Sequence, residues 1–306
     1  MSLNIIFMGT PNFAVSILRS IHQSQHKILS VFTQPPRKKD RGQKINISPI
    51  HQFSNDNNIN LRCPENLDTE DEYKFLKDTN PDVVVVVAFG KIIPSRFLNL
   101  PKTIFINIHA SLLPKWRGAA PIQRAIMNLD KVTGISIMKI VSKLDSGPVM
   151  LQSKLDISKD DNQESLSKKL SELGSVKILE ALNLIENKSV NFVDQKENEA
   201  TYAKKISKDE AKINWNKKAS EIIAKIKALY PNPGSWFELS GVRIKILKAE
   251  EIDLQAKPGI IVDKKFTIGC AEKAVRILEL KKEGKKEMTT EEFLKGNEIN
   301  LGQNLN

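Results

Sequence analysis

Apolar positions in the first half of the chain switch between two periods. Residues 3–8 are a short apolar run closed by Gly9, Thr10 and Pro11, the pattern of a buried strand. Residues 13–21 then place Phe13, Ile17, Leu18 and Ile21 at helical spacing. A second strand is predicted over 28–32. Residues 82–88 hold five consecutive valines, which predicts a strand covered on both faces of a parallel sheet. Further strands are predicted at 103–108 and 134–140, with a helix at 119–127 between them. A long amphipathic helix is expected over 165–185, with Leu166, Leu170, Leu173, Ile178 and Leu182 on or near one face. Strands separated by helices predict an open α/β fold, a doubly wound, Rossmann-like parallel sheet.

Residues 191–208 are polar and read as a linker between a first domain at 1–190 and a second at 209–306. Beyond it the pattern changes. A helix is predicted over 219–229, with Ile222, Ile223 and Ile226 as its stripe, stopped by Tyr230-Pro231-Asn232-Pro233-Gly234. Short apolar segments follow at 235–239, 242–249, 259–262, 266–270 and 275–280, divided by turn residues, which predicts a small barrel or sandwich. Thr289 with Glu292 fits a capping box for a last helix, and Gly296 fits its C-cap.

The length of 306 residues suits two domains. No apolar run approaches the ~20 residues of a membrane span, and the first residues lack the charged start and apolar length of a leader. Cys63 and Cys270 are the only cysteines and stand in no metal-ligand spacing, so a cytoplasmic protein without disulfides is expected. The net charge of +11 has two readings, because 38 of the 47 basic residues are lysine and only nine are arginine. It suits a polyanionic partner, and it also suits a general lysine bias without selection for a partner.

Position separates these readings better than the sum. Gln34 to Lys44 carries Arg37, Lys38, Lys39, Arg41 and Lys44 against Asp40, a charge of +4 in eleven residues. Pro35, Pro36 and Gly42 make it an irregular loop. It is either a solvated loop or a phosphate-binding one, for which guanidinium forks are suited. Gly9-Thr10-Pro11 lacks the second glycine of a dinucleotide fingerprint and is read as a tight turn. Asn107 and His109 lie two apart at the end of a predicted strand, hence on one face at the sheet edge where open α/β folds bind ligands. One can donate to an oxyanion and the other can exchange protons near neutral pH. A histidine satisfied within the core is the alternative. Asp145, in Leu144-Asp145-Ser146-Gly147-Pro148, is either an acid on a constrained turn or a turn residue bonded to its own local amides.

Taken together, these blocks resemble the methionyl-tRNA formyltransferases of the formyltransferase family. The resemblance runs through Phe7-Met8-Gly9-Thr10-Pro11-Asn12-Phe13-Ala14, Thr33-Gln34-Pro35 with Arg41-Gly42, Val87-Ala88-Phe89-Gly90, and Asn107 to Pro114. It continues in Arg117-Gly118-Ala119-Ala120-Pro121-Ile122, Leu144 to Gly147, Ile213-Asn214-Trp215 and Pro231 to Trp236. The resemblance implies formyl transfer from 10-formyltetrahydrofolate, a co-substrate, to the methionine amine of initiator methionyl-tRNA, with no metal. It implies an OB-like β-barrel as the second domain. It maps the catalytic trio onto Asn107, His109 and Asp145, and folate contacts onto Ser111, Leu112, Leu113 and Pro114. Phe89 and Gly90 fall in the stretch expected to line the pterin pocket. The 34–44 segment corresponds to the insertion that meets tRNA, with Arg41 at its important arginine. A monomer is expected. The rival readings are a formyltransferase for a small amine such as a nucleotide sugar, a formyltetrahydrofolate hydrolase, and an RNA-binding module with an inert α/β domain.

Overall fold

A computed structural model describes residues 2–39 and 44–306. In chain order it contains β1 (Asn4–Gly9), α1 (Asn12–His22), β2 (Lys27–Phe32), β3 (Arg37–Lys39), β4 (Lys44–Asn46), α2 (Pro49–Asp56), β5 (Leu61–Arg62) and α3 (Glu70–Thr79). Then come β6 (Val83–Val87), α4 (Ser95–Leu98), β7 (Ile104–His109), β8 (Arg117–Gly118), α5 (Pro121–Met127), β9 (Val132–Lys139), β10 (Val149–Asp156) and α6 (Gln163–Glu186). The remainder is β11 (Tyr202–Ala203), α7 (Ala219–Leu229), β12 (Ser235–Leu239), β13 (Val242–Ile252), β14 (Thr267–Gly269), β15 (Ala274–Lys282), β16 (Glu287–Thr289) and α8 (Thr290–Leu294).

Contacts divide the chain into two compact units. The first comprises residues 1–118, 132–156 and 167–202, and the second 119–131, 157–166 and 203–306. The stretch expected as a linker is therefore shared: residues through Tyr202 belong to the first unit and those from Ala203 to the second.

The first unit is built on a seven-stranded sheet in the order β10-β9-β7-β6-β1-β2-β5. Strands β7, β6, β1, β2 and β5 are mutually parallel, and β9 and β10 join antiparallel. The five valines of β6 are all buried between β1 and β7, because a central parallel strand shows neither face to water. In α1, Ile17, Leu18 and Ile21 are fully buried, as their spacing predicts, whereas Phe13 is half-buried and Ala14 takes the buried place in the first turn. Gly9 ends β1 where the chain must turn tightly. A Cβ there would lie 2.7 Å from the Phe7 ring and 3.1 Å from the Val87 carbonyl oxygen. The basic 34–44 segment departs from its expectation as an irregular loop. Its arms pair antiparallel, with Arg37 opposite Asn46 and Lys39 opposite Lys44.

His26 sits at the foot of this sheet and accepts a hydrogen bond at Nδ1 from the Leu3 amide, 3.3 Å away. Burial lowers its pKa from the ordinary histidine value, against the opposing pull of Glu186. The unfolded chain thus binds this proton more readily than the folded one. Stability is retained above about pH 6.5 and falls as pH drops toward the folded-state value. The melting temperature should accordingly decline more steeply between about pH 6.5 and 5 in the wild type than in His26→Gln. Parallel declines would show that His26 does not contribute.

The second unit's sheet is antiparallel, ordered β12-β13-β15-β14, with β16 also paired to β15. Helix α7 presents Ile222 and Ile226 to a core shared with Trp215, Phe237, Phe266 and Phe293. The rings meet edge-on at 5.6 Å for Trp215 and Phe237 and stack at 5.9 Å for Phe266 and Phe293. Cys270 is buried in this core, and burial pushes its thiol up to about 12, so it packs as a small apolar group. The expected strand at 259–262 is reduced to bridges from Ile260 to Asn304 and Ile261 to Ile268. The capping box at Thr289 and Glu292 is formed. Helix α8 closes on Lys295 in right-handed geometry, and Gly296 does not take the left-handed conformation expected of a glycine cap.

Candidate active site

Strand β7 delivers Asn107 and His109 to one face at its carboxyl end, while Ile106 and Ile108 on the other face are buried. The Asn107 side chain is half-buried and makes no hydrogen bond to any described residue. His109 is 6% exposed. Its Nε2 lies 2.8 Å from the Trp116 carbonyl oxygen. A carbonyl can only accept, so Nε2 carries a proton and donates it. Nδ1 is left facing Asp145, with Oδ2 at 3.7 Å.

Asp145 belongs to the turn between β9 and β10 and has a left-handed backbone, φ +45°. Its carboxylate does not satisfy amides of its own turn. Oδ2 instead accepts the Gly118 N–H at 2.8 Å, a residue 27 positions earlier. That contact pins the carboxylate beside the histidine. Gly147 completes the turn because a Cβ there would overlap the Lys139 carbonyl oxygen.

The expected folate segment forms the loop after β7. Ser111 and Leu113 are buried, and Leu112 and Pro114 are half-buried. The Ser111 hydroxyl donates to the Lys115 carbonyl at 2.5 Å, so it shapes the loop. Two residues without a sequence signal clamp this loop. Ser136, opposite His109 in the sheet, donates to the Ser111 carbonyl at 2.7 Å and accepts the Leu113 N–H at 2.9 Å. Gln152 donates to the Leu113 carbonyl at 2.7 Å and to the Ser136 hydroxyl at 2.8 Å. Phe89 sends its ring into the core, where it is 1% exposed. Its carbonyl accepts from Thr10 at 2.9 Å and Gln34 at 3.1 Å, and Gly90 follows it exposed with φ +80°.

Arg37 is exposed at the start of β3. Lys38, Lys39 and Lys44 lie in the paired strands. Arg41 falls outside the described residues. Arg117 is wholly buried beside Gly118, donating to Glu197 at 2.9 Å and, through Nε, to Gln195 Oε1 at 3.1 Å. Hydrogen bonds first from Lys143 and then from Arg117 hold the Glu197 carboxyl below the usual carboxylate range. Arg117 lies some 80 positions from Gln195 and Glu197, and no local pattern announces these partners.

Comparison with known proteins places this chain in a family. Residues 3–182 match the family described as Formyl transferase, and residues 205–298 match Formyl transferase, C-terminal domain. The chain is 49% identical to a methionyl-tRNA formyltransferase of Pelagibacter ubique, over 100% of this chain and 99% of that protein. It shares its fold, at a TM-score of 0.67 and 21% identity, with an N-formyltransferase from Helicobacter canadensis in complex with folinic acid and dTDP-3-aminofucose, covering 90% of this chain and 99% of the other. HypX from Aquifex aeolicus in complex with tetrahydrofolic acid gives a TM-score of 0.68 at 17% identity, covering 99% of this chain. The chain spans about half, 51%, of that protein's length. The chain belongs to the methionyl-tRNA formyltransferase family and carries both the N-terminal and the C-terminal domain of the formyl transferases.

Proposed function

We propose that this protein transfers the formyl group of 10-formyltetrahydrofolate to the amino group of methionine on initiator methionyl-tRNA. The observation that carries the reading is the unengaged Asn107 amide beside a histidine and an aspartate at the carboxyl end of β7. The amine attacks the formyl carbon, and negative charge gathers on the formyl oxygen. Asn107 donates a hydrogen bond to that oxygen. The Nε2 proton of His109 is committed to Trp116, so the mobile proton sits on Nδ1, on the Asp145 side. His109 protonated there adds positive charge beside the oxyanion. As the carbon–N10 bond breaks, the folate N10 takes up a proton and the new amide nitrogen gives one up. Asp145 holds the imidazole for this exchange. No metal takes part in these steps.

Ser111, Leu112, Leu113 and Pro114 are assigned to folate by resemblance and by their place in the loop after β7, and Phe89 and Gly90, which follow β6, by resemblance alone. The second unit is assigned to tRNA as an OB-like barrel, within a functional division at 1–190 and 209–306. The enzyme acts as a monomer in the cytoplasm, and light scattering of the purified protein tests the first point. A single assay tests the reaction: incubation with 10-formyltetrahydrofolate and initiator methionyl-tRNA, elongator methionyl-tRNA or a dTDP-amino sugar. Formylated initiator tRNA is expected. Product from the sugar alone would transfer the assignment to the small-amine enzymes.

Arg41, with Arg37, Lys38, Lys39 and Lys44, is assigned to the tRNA backbone. Arg41→Ala should lower kcat/KM for initiator tRNA by about tenfold, the equivalent of ~1.4 kcal/mol, and leave the folate KM in place. The tRNA term should weaken further with salt. An unchanged kcat/KM would release Arg41 from this role.

A further inference from the structure

The stretch 193–201, which reads in sequence as featureless linker, is bonded to both loops of the candidate site. Val193 exchanges two backbone hydrogen bonds of 2.8 Å with Val149. Thr201 accepts the Trp116 N–H on its hydroxyl at 2.9 Å and the Arg117 N–H on its carbonyl at 2.9 Å. Between them, the Gln195 Nε2 donates to the Asp145 carbonyl at 2.8 Å and to the Gly147 carbonyl at 2.7 Å. Both amide protons are thus spent on the two sides of one turn.

The orientation of that amide is determined by its neighbour. Arg117 Nε donates to Gln195 Oε1, so the oxygen faces the guanidinium and the nitrogen faces the turn. Arg117 is fully buried and cannot turn away into water. The next residue, Gly118, donates its N–H to the Asp145 carboxylate. Asp145 is therefore gripped at both ends, by Gln195 on its backbone and by Gly118 on its side chain. The grip matters because Asp145 holds a left-handed backbone that a free aspartate seldom adopts.

We propose that Gln195 is a positioning residue for the reaction: it locks the 145–147 turn in the conformation that aims the Asp145 carboxylate at His109. This rests on the catalytic reading of Asp145. The stretch 193–201 then serves as a strap across both catalytic loops.

The test is a double-mutant cycle on the full chain, read by single-turnover formyl transfer with enzyme in excess. Gln195→Met keeps the side-chain length and removes both donors. It should lower the rate of transfer about tenfold or more, since small misplacements of reacting groups are costly. The folate KM should hardly move, while the melting temperature falls modestly because the buried Arg117 Nε loses its acceptor. In the Asp145→Asn background the same substitution should cost less than about twofold, because the group it positions is already disabled. An equal loss in both backgrounds would make Gln195 merely structural and overturn the proposal. A wild-type rate in Gln195→Met, with Asp145→Asn impaired, would overturn the proposal alone. A wild-type rate in Asp145→Asn would remove the catalytic reading, and the positioning role with it. Should Gln195→Met fail to fold, Gln195→Glu keeps the oxygen for Arg117 while losing both donors, and is judged by the same outcomes.

Discussion

Replacing Asn107 by alanine should lower kcat by about 10²–10³-fold, the loss typical of one oxyanion donor and equal to ~2.7–4 kcal/mol. The fold should be untouched. The Asn107 amide holds no other described residue, so its removal breaks no native hydrogen bond and leaves no buried partner unsatisfied. Its neighbours across the sheet, Val86 on one side and Met138 on the other, are apolar and make no demand on it. The folate KM should therefore stay close to wild type while kcat falls, the pattern of a contact made only in the transition state. Steady-state kinetics with initiator tRNA checks this. A variant that turns over normally would place the oxyanion elsewhere.

Asp145→Asn should cost about 10²–10⁴-fold in kcat, the range spanned by a lost proton-transfer partner. Here too the fold should survive, because the amide oxygen of asparagine can still accept the Gly118 N–H now bound by the carboxylate. What is lost is the negative charge 3.7 Å from His109 Nδ1. The loss should appear in kcat across the working pH range, and tRNA and folate KM should change little. Near-normal turnover would remove Asp145 from the mechanism.

Asn107 and His109 were legible because a strand has a period of two, and that period places them together without help from the rest of the chain. Other local patterns found β6, from its unbroken run of valines, and the buried face of α1, from the helical spacing of Ile17, Leu18 and Ile21. Helix α3 is a contrasting case. Its apolar positions are few, and its exterior is acidic. In the folded chain its N-cap is Thr69, whose hydroxyl accepts the Glu72 N–H. The basic 34–44 segment was legible by charge, whereas the pairing of its arms depended on a backbone ladder that charge does not encode.

Asp145 lies between these cases. Its turn was plain from Gly147 and Pro148, but two readings stood open, and its own neighbourhood offered no choice between them. The choice came from Gly118, brought to it by the path of the loop after β7. Ser136 and Gln152 were unreadable for a related reason. A serine and a glutamine in a strand pattern become clamps only when β9 and β10 are laid beside β7.

The sequence by itself determined which stretches bury apolar surface, where strands end, and which polar side chains stand at those ends. These depend on residues within a turn or two of one another. Tertiary structure alone decided what the polar groups of the candidate site are bonded to. Gln195 meets Arg117 across 78 positions, and Asp145 meets Gly118 across 27. Hydrogen bonds are short and directional, and they form wherever the folded backbone brings donor to acceptor. Hydrophobic periodicity carries no record of such partners, so the bonding of 193–201 to the loops of the candidate site became visible only in the folded chain.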